Sequence, residues 1–335
     1  MSIYWGKSFF QFFVVFFSRI VPLIQGKVAL QPDEIQLISL SLVSAVCGLL
    51  GVFLVVRKMA MVANAITHTV LVGIMVVVIA SFYITGAKIN LMEGGINPLT
   101  LLGASLVTSF LTMFLIDFFS NKLMAQRDVS IGLVFSFLFA LGIILATIFT
   151  RSTHIGTDVI TGNIDMITKA DLKLILLLTL FVSTLMGIFW RPLLFSSFDG
   201  QFSSISGIPE KVVNYLIVLI TSITVIVAMQ VVGVVLALAL LVVPVIISRL
   251  FFNSLKMIVL SSGCLGVITS CIAVALSRHF LSQYQTPLST GGLLTTLLFL
   301  IWICSAIFIR LRRRFRSALT FQKKTDNLQA ETEQG

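Results

Sequence analysis

The sequence predicts an all-α protein, a polytopic bundle of about eight to ten transmembrane helices. Hydrophobic residues make up 58% of the 335 residues and charged residues only 11%, whereas a soluble domain is roughly half apolar and a quarter charged. The mean hydropathy is +1.08. Apolar runs of about 20 residues recur along the chain, and lipid offers their backbone groups no partner outside a helix. We therefore expect one membrane-embedded body and no separate water-soluble domain.

Nine apolar runs in the sequence are long enough to cross the membrane as helices. The sixth and seventh are interrupted only near Gly233, so this pair predicts either two short spans or one span and a re-entrant piece. The runs cover residues 37–56, 62–82, 98–119, 129–150, 172–190, 212–230, 232–250, 257–277 and 289–309. Together they predict a transmembrane domain over residues 37–310.

The N-terminal segment, residues 1–36, contains the apolar stretch "SFFQFFVVFF" (8–17) followed by Arg19 and Pro22. No small-residue cleavage site follows it, which disfavours a signal peptide. The stretch predicts an additional span or an interfacial helix whose arginine reaches the membrane surface.

Basic residues divide into two groups when the predicted spans alternate across the membrane. The larger group lies on the side that the positive-inside rule assigns to the cytoplasm. It comprises Arg57, Lys58, Lys122, Arg127, Arg191, Lys211, Arg249, Lys256 and the basic residues from Arg310 to Lys324. The C-terminal residues 311–335 form a basic-to-polar cytoplasmic tail that can touch anionic lipid. We attribute the net charge of +10 to topology and lipid contact, and expect no nucleic-acid partner.

Enzymatic motifs are not evident in the sequence. The "GKS" of residues 6–8 lacks the upstream glycine and the preceding strand of a nucleotide-binding loop. The predicted spans contain almost no central carboxylates, which ion-coupled carriers commonly use to bind the coupling ion. These features predict a protein that is not an enzyme and draws on an energy source outside this chain.

Polar side chains interrupt the second predicted span, in the stretch "VANAITHTVLVG" (62–73). Asn64 and His68 are one helical turn apart, so about 40° separates them around the helix axis. Thr67 flanks the same face. Two interpretations remain open: hydrogen bonds between helices, or a ligand site facing a path through the bundle.

Five ordered segments resemble the permease family of bacterial ABC importers for zinc, manganese and iron. They are "GVFLVVRKMAMVANAITHTVLVGI" (51–74), "DVSIGLVFSFLFALGIIL" (128–145), "TGNI" (161–164), "SSFDGQFSSISGIPEK" (196–211) and "VVGVVLALALLVVPVIISRLF" (231–251). The resemblance covers about residues 37–310 and implies the helical fold of a type II ABC importer permease. It also implies that the protein is located in the bacterial inner membrane.

The resemblance favours the ligand interpretation, because the family's metal-coordinating Asp and His correspond to Asn64 and His68. The family's Asp is therefore Asn in this chain. A dication in a low-dielectric path needs compensating negative charge, and two copies of this chain would supply none at that position. This departure predicts a heterodimer with a second permease that keeps its Asp, or else weaker handling of the metal.

Two cytoplasmic loops are expected, from the resemblance, to contact a separate pair of ATPase subunits. A plain connector is the alternative for the first loop. Their candidate contact residues are Ser197, Phe198, Asp199 and Gly207 in the first loop, and Arg249, Asn253 and Ser254 in the second. We favour the second loop as the main mechanical contact, because it adjoins the span that contains Pro244. Proline removes a helix hydrogen bond and can localise bending.

The expected function is alternating-access import of a divalent metal, powered by the separate ATPase. The metal, zinc, manganese or iron, is a transported ion, and we expect no permanently bound cofactor. A separate extracytoplasmic binding protein is expected to deliver it, with His154 and His279 as solvated residues of outward loops. A self-sufficient secondary carrier for a cation or small solute is the alternative function, and a structural membrane subunit is the next.

Overall fold

The computed structural model describes residues 4–25, 28–85, 98–150, 164, 167–198, 210–286 and 288–332, and these contain helices but no strand. The helices are α1 (Phe9–Ile24), α2 (Pro32–Val56), α3 (Ala60–Thr85), α4 (Pro98–Lys122), α5 (Arg127–Thr150), α6 (Lys169–Ile188), α7 (Trp190–Phe198), α8 (Glu210–Val232), α9 (Val234–Phe251), α10 (Leu255–Tyr284) and α11 (Thr290–Thr332). The predicted all-α fold class is confirmed.

Seven of these helices are long and apolar enough to cross a membrane, and three others contain shorter apolar stretches. The shorter stretches are Phe9–Leu23 in α1, Val212–Val225 in α8 and Val235–Phe251 in α9. Gly233 separates α8 from α9 with a φ of +81°, a left-handed conformation that glycine adopts without strain. The break expected at Gly233 is therefore present, and it divides the apolar run into two helices.

Close packing between α2 and α10 forms the centre of the bundle. A Cβ on Gly48 would lie 2.7 Å from the carbonyl oxygen of Ser262, and a Cβ on Gly266 would lie 2.9 Å from that of Ser44. The Ser44 and Ser270 hydroxyls are hydrogen-bonded at 2.6 Å, and the Ser262 hydroxyl donates to the Gly48 carbonyl at 2.9 Å. Small residues let the two backbones approach, and hydroxyls join them where lipid supplies no partner. The register is antiparallel.

The turn between α9 and α10 lies near the C-terminal end of α2, as a consequence of this register. Arg57, just after α2, marks the same end: its guanidinium donates to the hydroxyl of Ser196 on α7 and to the side-chain oxygen of Asn214 on α8. Tyr215 donates to Asp117 near the end of α4 at 3.4 Å. We call this end of the bundle the basic end. The basic residues from Arg57 to Lys256 that the positive-inside rule assigns to the cytoplasm lie at the helix termini on this side.

A buried polar network joins the opposite ends of α2, α10 and α11. Arg278 forms an ion pair with Asp33, at 2.8 Å between Nε and Oδ1, and donates to the Gln36 side-chain oxygen at 3.0 Å. Gln36 in turn donates to the Thr290 hydroxyl at 3.0 Å. Removing one partner of a buried ion pair leaves an uncompensated charge, so this network fixes the three helix ends together.

The N-terminal helix is anchored to the same end by a second buried ion pair. The Arg19 Nε lies 2.6 Å from Glu34 Oε1, and the Tyr4 hydroxyl donates to the same carboxylate at 2.7 Å. Burial, together with this hydrogen bond, raises the pKa of Tyr4, so the phenol stays protonated and can donate to Glu34. Arg19 therefore pairs with a buried carboxylate of α2, and this pair joins α1 to the N-terminal end of α2.

Helix α2 begins before the first predicted span, which accounts for the carboxylates at this end. Pro32 occupies its first turn, and Gln31 and Glu34 form a reciprocal capping box, a combination that starts helices efficiently. Asp33 and Glu34 are thus helical residues with buried side chains. Residues 32–36, which belong to the N-terminal segment of the sequence division, are continuous with the first span.

Replacement of Gly51 tests the close packing between α2 and α9. A Cβ at Gly51 would lie 1.8 Å from the carbonyl oxygen of Leu241, so Gly51→Ala must push the α9 backbone away. We expect a loss of about 1–3 kcal/mol, the usual cost of overpacking, measured as a lower thermal midpoint of the detergent-purified protein. Gly103→Ala is the control, because a Cβ there meets nothing within 4 Å. Equal midpoints for the two variants would contradict this packing.

Candidate functional site

Helix α3 carries the candidate metal residues and is held between α4 and α5. A Cβ on Gly73 would lie 2.8 Å from the Thr108 hydroxyl of α4, and one on Gly142 of α5 would lie 3.3 Å from Leu71. The Thr112 hydroxyl of α4 donates to the Thr69 hydroxyl at 3.0 Å. Hydrogen bonds and close backbone contact therefore fix the part of α3 that surrounds His68.

His68 lies on the side of α3 that faces α5. Its ring centroid is 5.2 Å from those of both Phe135 and Phe139, with interplanar angles of 57° and 68°. The histidine is half-buried. Its Nδ1 is buried and finds no hydrogen-bond partner among the described residues. A buried nitrogen without a partner is costly. The Nδ1 of His279 is also buried without a partner among the described residues, so His68 is a candidate because of its place beside Asn64 on α3.

Asn64 and Thr67 differ in their surroundings. Asn64 is half-buried, one turn from His68 on the same helix. The Thr67 side chain is 1% exposed, and its hydroxyl donates to the backbone carbonyl of Asn64 at 2.7 Å. The structure thus brings Asn64 and His68 together on one partly open face, while the Thr67 hydroxyl is directed to its own helix.

The aromatic pair beside His68 was not singled out by the sequence reasoning. Phe135 and Phe139 stack on each other at 5.8 Å with an interplanar angle of 15°, as residues four apart on one helix can. Phe137 lies between them in sequence and is 61% exposed. The segment "DVSIGLVFSFLFALGIIL" has phenylalanine at positions 135, 137 and 139, and its composition does not distinguish the two rings that touch His68 from the third.

The first predicted coupling loop is described only where it leaves α7. Ser197 lies in the last turn of α7, and its hydroxyl donates to the Leu193 carbonyl. Phe198 is the last residue of that helix. Asp199 and Gly207 lie outside the described residues. The hydrogen bond from Arg57 to Ser196 attaches α7 to the basic end of α2.

The second predicted loop is described completely. Arg249 is exposed in the last turn of α9, and Asn253 and Ser254 are exposed in the short turn that leads to α10. Pro244 is inside α9, as expected, and is buried. An exposed polar turn at the basic end is therefore joined directly to a proline-containing helix that packs on Gly51.

The other two histidines lie away from this face of α3. His154 is outside the described residues. His279 belongs to the last turns of α10 and is half-buried against the rings of Phe280 and Tyr284. The expectation of a solvated loop residue is therefore wrong for His279, because α10 continues beyond the predicted span to Tyr284. The described residues contain no cluster of three or more His, Cys, Asp or Glu side chains placed to hold a metal.

The sequence matches the model of one protein family, the ABC 3 transport family, over residues 35–309. The chain belongs to the ABC 3 transport family. It is thus a membrane permease subunit of an ABC transporter, as the resemblance implied. Family membership gives no support to the alternative of a self-sufficient secondary carrier.

Relatives that match most of the chain carry names of metal transport systems. A probable metal transport system membrane protein of Chlamydia pneumoniae is 37% identical over 302 residues, which cover 90% of each chain. The manganese transport system membrane protein MntC of Halalkalibacterium halodurans is 32% identical over 237 residues, or 70% of this chain and 75% of that one.

A solved structure has the same fold. PsaBC from Streptococcus pneumoniae in complex with Fab superposes with a TM-score of 0.68 at 24% identity, covering 85% of this chain and 95% of that one. The likeness extends over nearly all of the other chain, so the two chains share one helical fold.

Proposed function

We propose that this chain is the membrane-spanning subunit of an ATP-driven importer of a divalent transition metal. Family membership and the metal-transport names of the relatives support this proposal. The observation that carries it is His68, a half-buried imidazole with an orphaned nitrogen on a fixed helix inside the bundle. Intramembrane ionisable groups usually mark a transport path.

The transported ion passes His68 and Asn64. Imidazole and amide oxygen suit zinc, manganese and iron(II), and the manganese systems among the relatives favour manganese. A path ligand must also release its ion, so a site with few ligands from each chain is appropriate. Thr67 contributes through its hydrogen bond to the Asn64 carbonyl, and the metal is cargo rather than a resident cofactor.

The substrate path is completed by a second, different permease subunit. Asn64 carries no charge, so two copies of this chain present only neutral amide and imidazole groups at this position. A dication leaving water loses a large hydration energy unless negative charge replaces it. A partner permease with a carboxylate at the equivalent position supplies that charge.

Energy enters at the basic end, which faces the cytoplasm, through a pair of ATPase subunits. Their main contact is the exposed turn with Asn253 and Ser254 and the adjacent Arg249. Force on this turn passes into α9, where Pro244 removes a backbone hydrogen bond and localises bending. The end of α7 near Ser197 provides the second contact. This chain has no ATP-binding site of its own and resides in the bacterial inner membrane.

Metal arrives at the opposite end from an extracytoplasmic binding protein. ATP-driven closure of the two ATPases then switches the path between outward and inward access, and the affinity for the ion must differ between these states. The N-terminal helix α1 and the networks around Asp33 and Glu34 keep the outer ends of α2, α10 and α11 together during the switch.

Removal of the His68 imidazole tests the transport path. We expect His68→Ala to reduce ATP-dependent uptake of radioactive manganese at least tenfold in vesicles that contain the complete transporter. His279→Ala is the matched control. It also removes an imidazole, but from the last turns of α10, away from the proposed path, so uptake should be retained. Assembly with the ATPase must be equal in both variants. Normal uptake by an intact His68→Ala complex would contradict the proposal.

Native mass spectrometry tests the heterodimer. A complex purified after expression together with the neighbouring permease and ATPase genes should contain one copy of this chain, one different permease and two ATPase subunits. Two copies of this chain in a complex that imports metal at the normal rate would exclude the heterodimer. A different outcome is a complex with two copies of this chain that transports the metal poorly. In that complex, Asn64→Asp should raise uptake, because it restores the missing negative charge.

Site-specific crosslinking tests the coupling turn. In a background without native cysteines, Ser254→Cys should crosslink to the ATPase, and bound ATP should change the yield. Gln283→Cys, exposed at the other end of α10, should give no such product. Crosslinking from position 283 but not from position 254 would place the ATPase at the wrong end and overturn the proposed orientation.

A further inference from the structure

His68 lacks the hydrogen bond that normally orients a metal-binding histidine. Such a histidine almost always donates its second ring N–H to a carboxylate, a backbone carbonyl or a water, which fixes the tautomer and the direction of the ring. In this chain, Nδ1 of His68 is buried and has no hydrogen-bond partner among the described residues. Another contact must therefore hold the ring.

Two aromatic rings pack against the imidazole of His68. Phe135 and Phe139 each lie 5.2 Å from the His68 ring, centroid to centroid, and both meet it at steep angles. Aromatic pairs in this range of distance and tilt attract each other beyond simple burial. The two phenylalanines are also stacked on each other, so they present one rigid surface. Close packing of Gly142 against Leu71 and Val72 keeps α5 at a fixed distance from α3.

We propose that Phe135 and Phe139 are positioning residues that hold the imidazole of His68 for the metal. This inference rests on the proposed function. The two rings restrict the rotation of the side chain, and the burial of Nδ1 leaves Nε2 as the nitrogen that can face the ion. They perform by packing what a hydrogen-bonded carboxylate performs in a permanent metal site.

This arrangement suits a site that must release its ion. A carboxylate bonded to the second nitrogen raises the basicity of the histidine and strengthens metal binding. Phenylalanine rings orient the imidazole without adding charge. The orientation of the imidazole is therefore fixed, as a precise ligand position requires, while the affinity for the metal stays low enough for release.

Phe139→Leu is the decisive variant, because leucine keeps an apolar side chain but removes the ring. We expect the dissociation constant for Mn²⁺, measured on the purified transporter from the signal of free Mn²⁺ in electron paramagnetic resonance, to rise roughly 2- to 12-fold, the loss of one aromatic contact. Phe139→Tyr should restore near-normal binding because it retains a ring. Phe137→Leu is the matched control, since Phe137 is on the same helix and is largely exposed.

A double variant separates positioning from general damage to the fold. In a His68→Ala background, Phe139→Leu should cause no further loss of Mn²⁺ binding, because the ring it positions is absent. An equal loss with and without His68, or a Phe139→Tyr variant as weak as Phe139→Leu, would overturn the positioning role. Normal binding by His68→Ala would instead remove the proposed site itself. A normal dissociation constant for Phe139→Leu, with His68→Ala impaired, would reject only the aromatic contact.

Discussion

The contact between α2 and α10 is the constraint on which the rest of the bundle depends. Lipid gives polar groups no partner and provides little hydrophobic drive between helices, so these two helices associate through close backbone approach at Gly48 and Gly266 and through serine hydroxyls. The antiparallel register that results brings Asp33 to Arg278 at one end and the α9–α10 turn to the other. Gly51 then seats α9 against the same face of α2. The helix that carries His68, α3, is held mainly by α4 and α5, through close contact at Gly73 and Gly142 and a hydroxyl hydrogen bond.

Polar side chains at one end of the bundle and in its middle differ in whether they are paired. At the end opposite the basic end, Arg19 and Arg278 pair with the buried carboxylates of Glu34 and Asp33, an arrangement that ties helix ends together and leaves no net charge for an ion. In the middle of the bundle, the Nδ1 of His68 has no hydrogen-bond partner in the part of the chain that the structure describes. The paired carboxylates hold helix ends together, whereas His68 shares a half-buried face of α3 with Asn64, a position suited to a ligand.

The sequence was sufficient for the fold class, for the break at Gly233 and for Pro244 inside a helix, since these follow from hydropathy and from single residues with fixed backbone preferences. It was insufficient for the partners of charged residues. Arg19 and Glu34 lie on different helices, and hydrophobic periodicity does not show that these helices place the two side chains in contact. His279 was assigned to a loop because hydropathy falls near the end of α10, although the helix continues. Phe135 and Phe139 could not be distinguished from Phe137 without knowing which face of α5 meets α3.

The role of His68 as a ligand of the transported ion is the central claim, and pulsed electron paramagnetic resonance of the Mn²⁺-loaded transporter tests it most directly. The account predicts modulation of the Mn²⁺ spin echo by an imidazole ¹⁴N nucleus, and its contribution from this chain should disappear in His68→Ala. Bound Mn²⁺ without any nitrogen coupling, or with a coupling unchanged in His68→Ala, would contradict it.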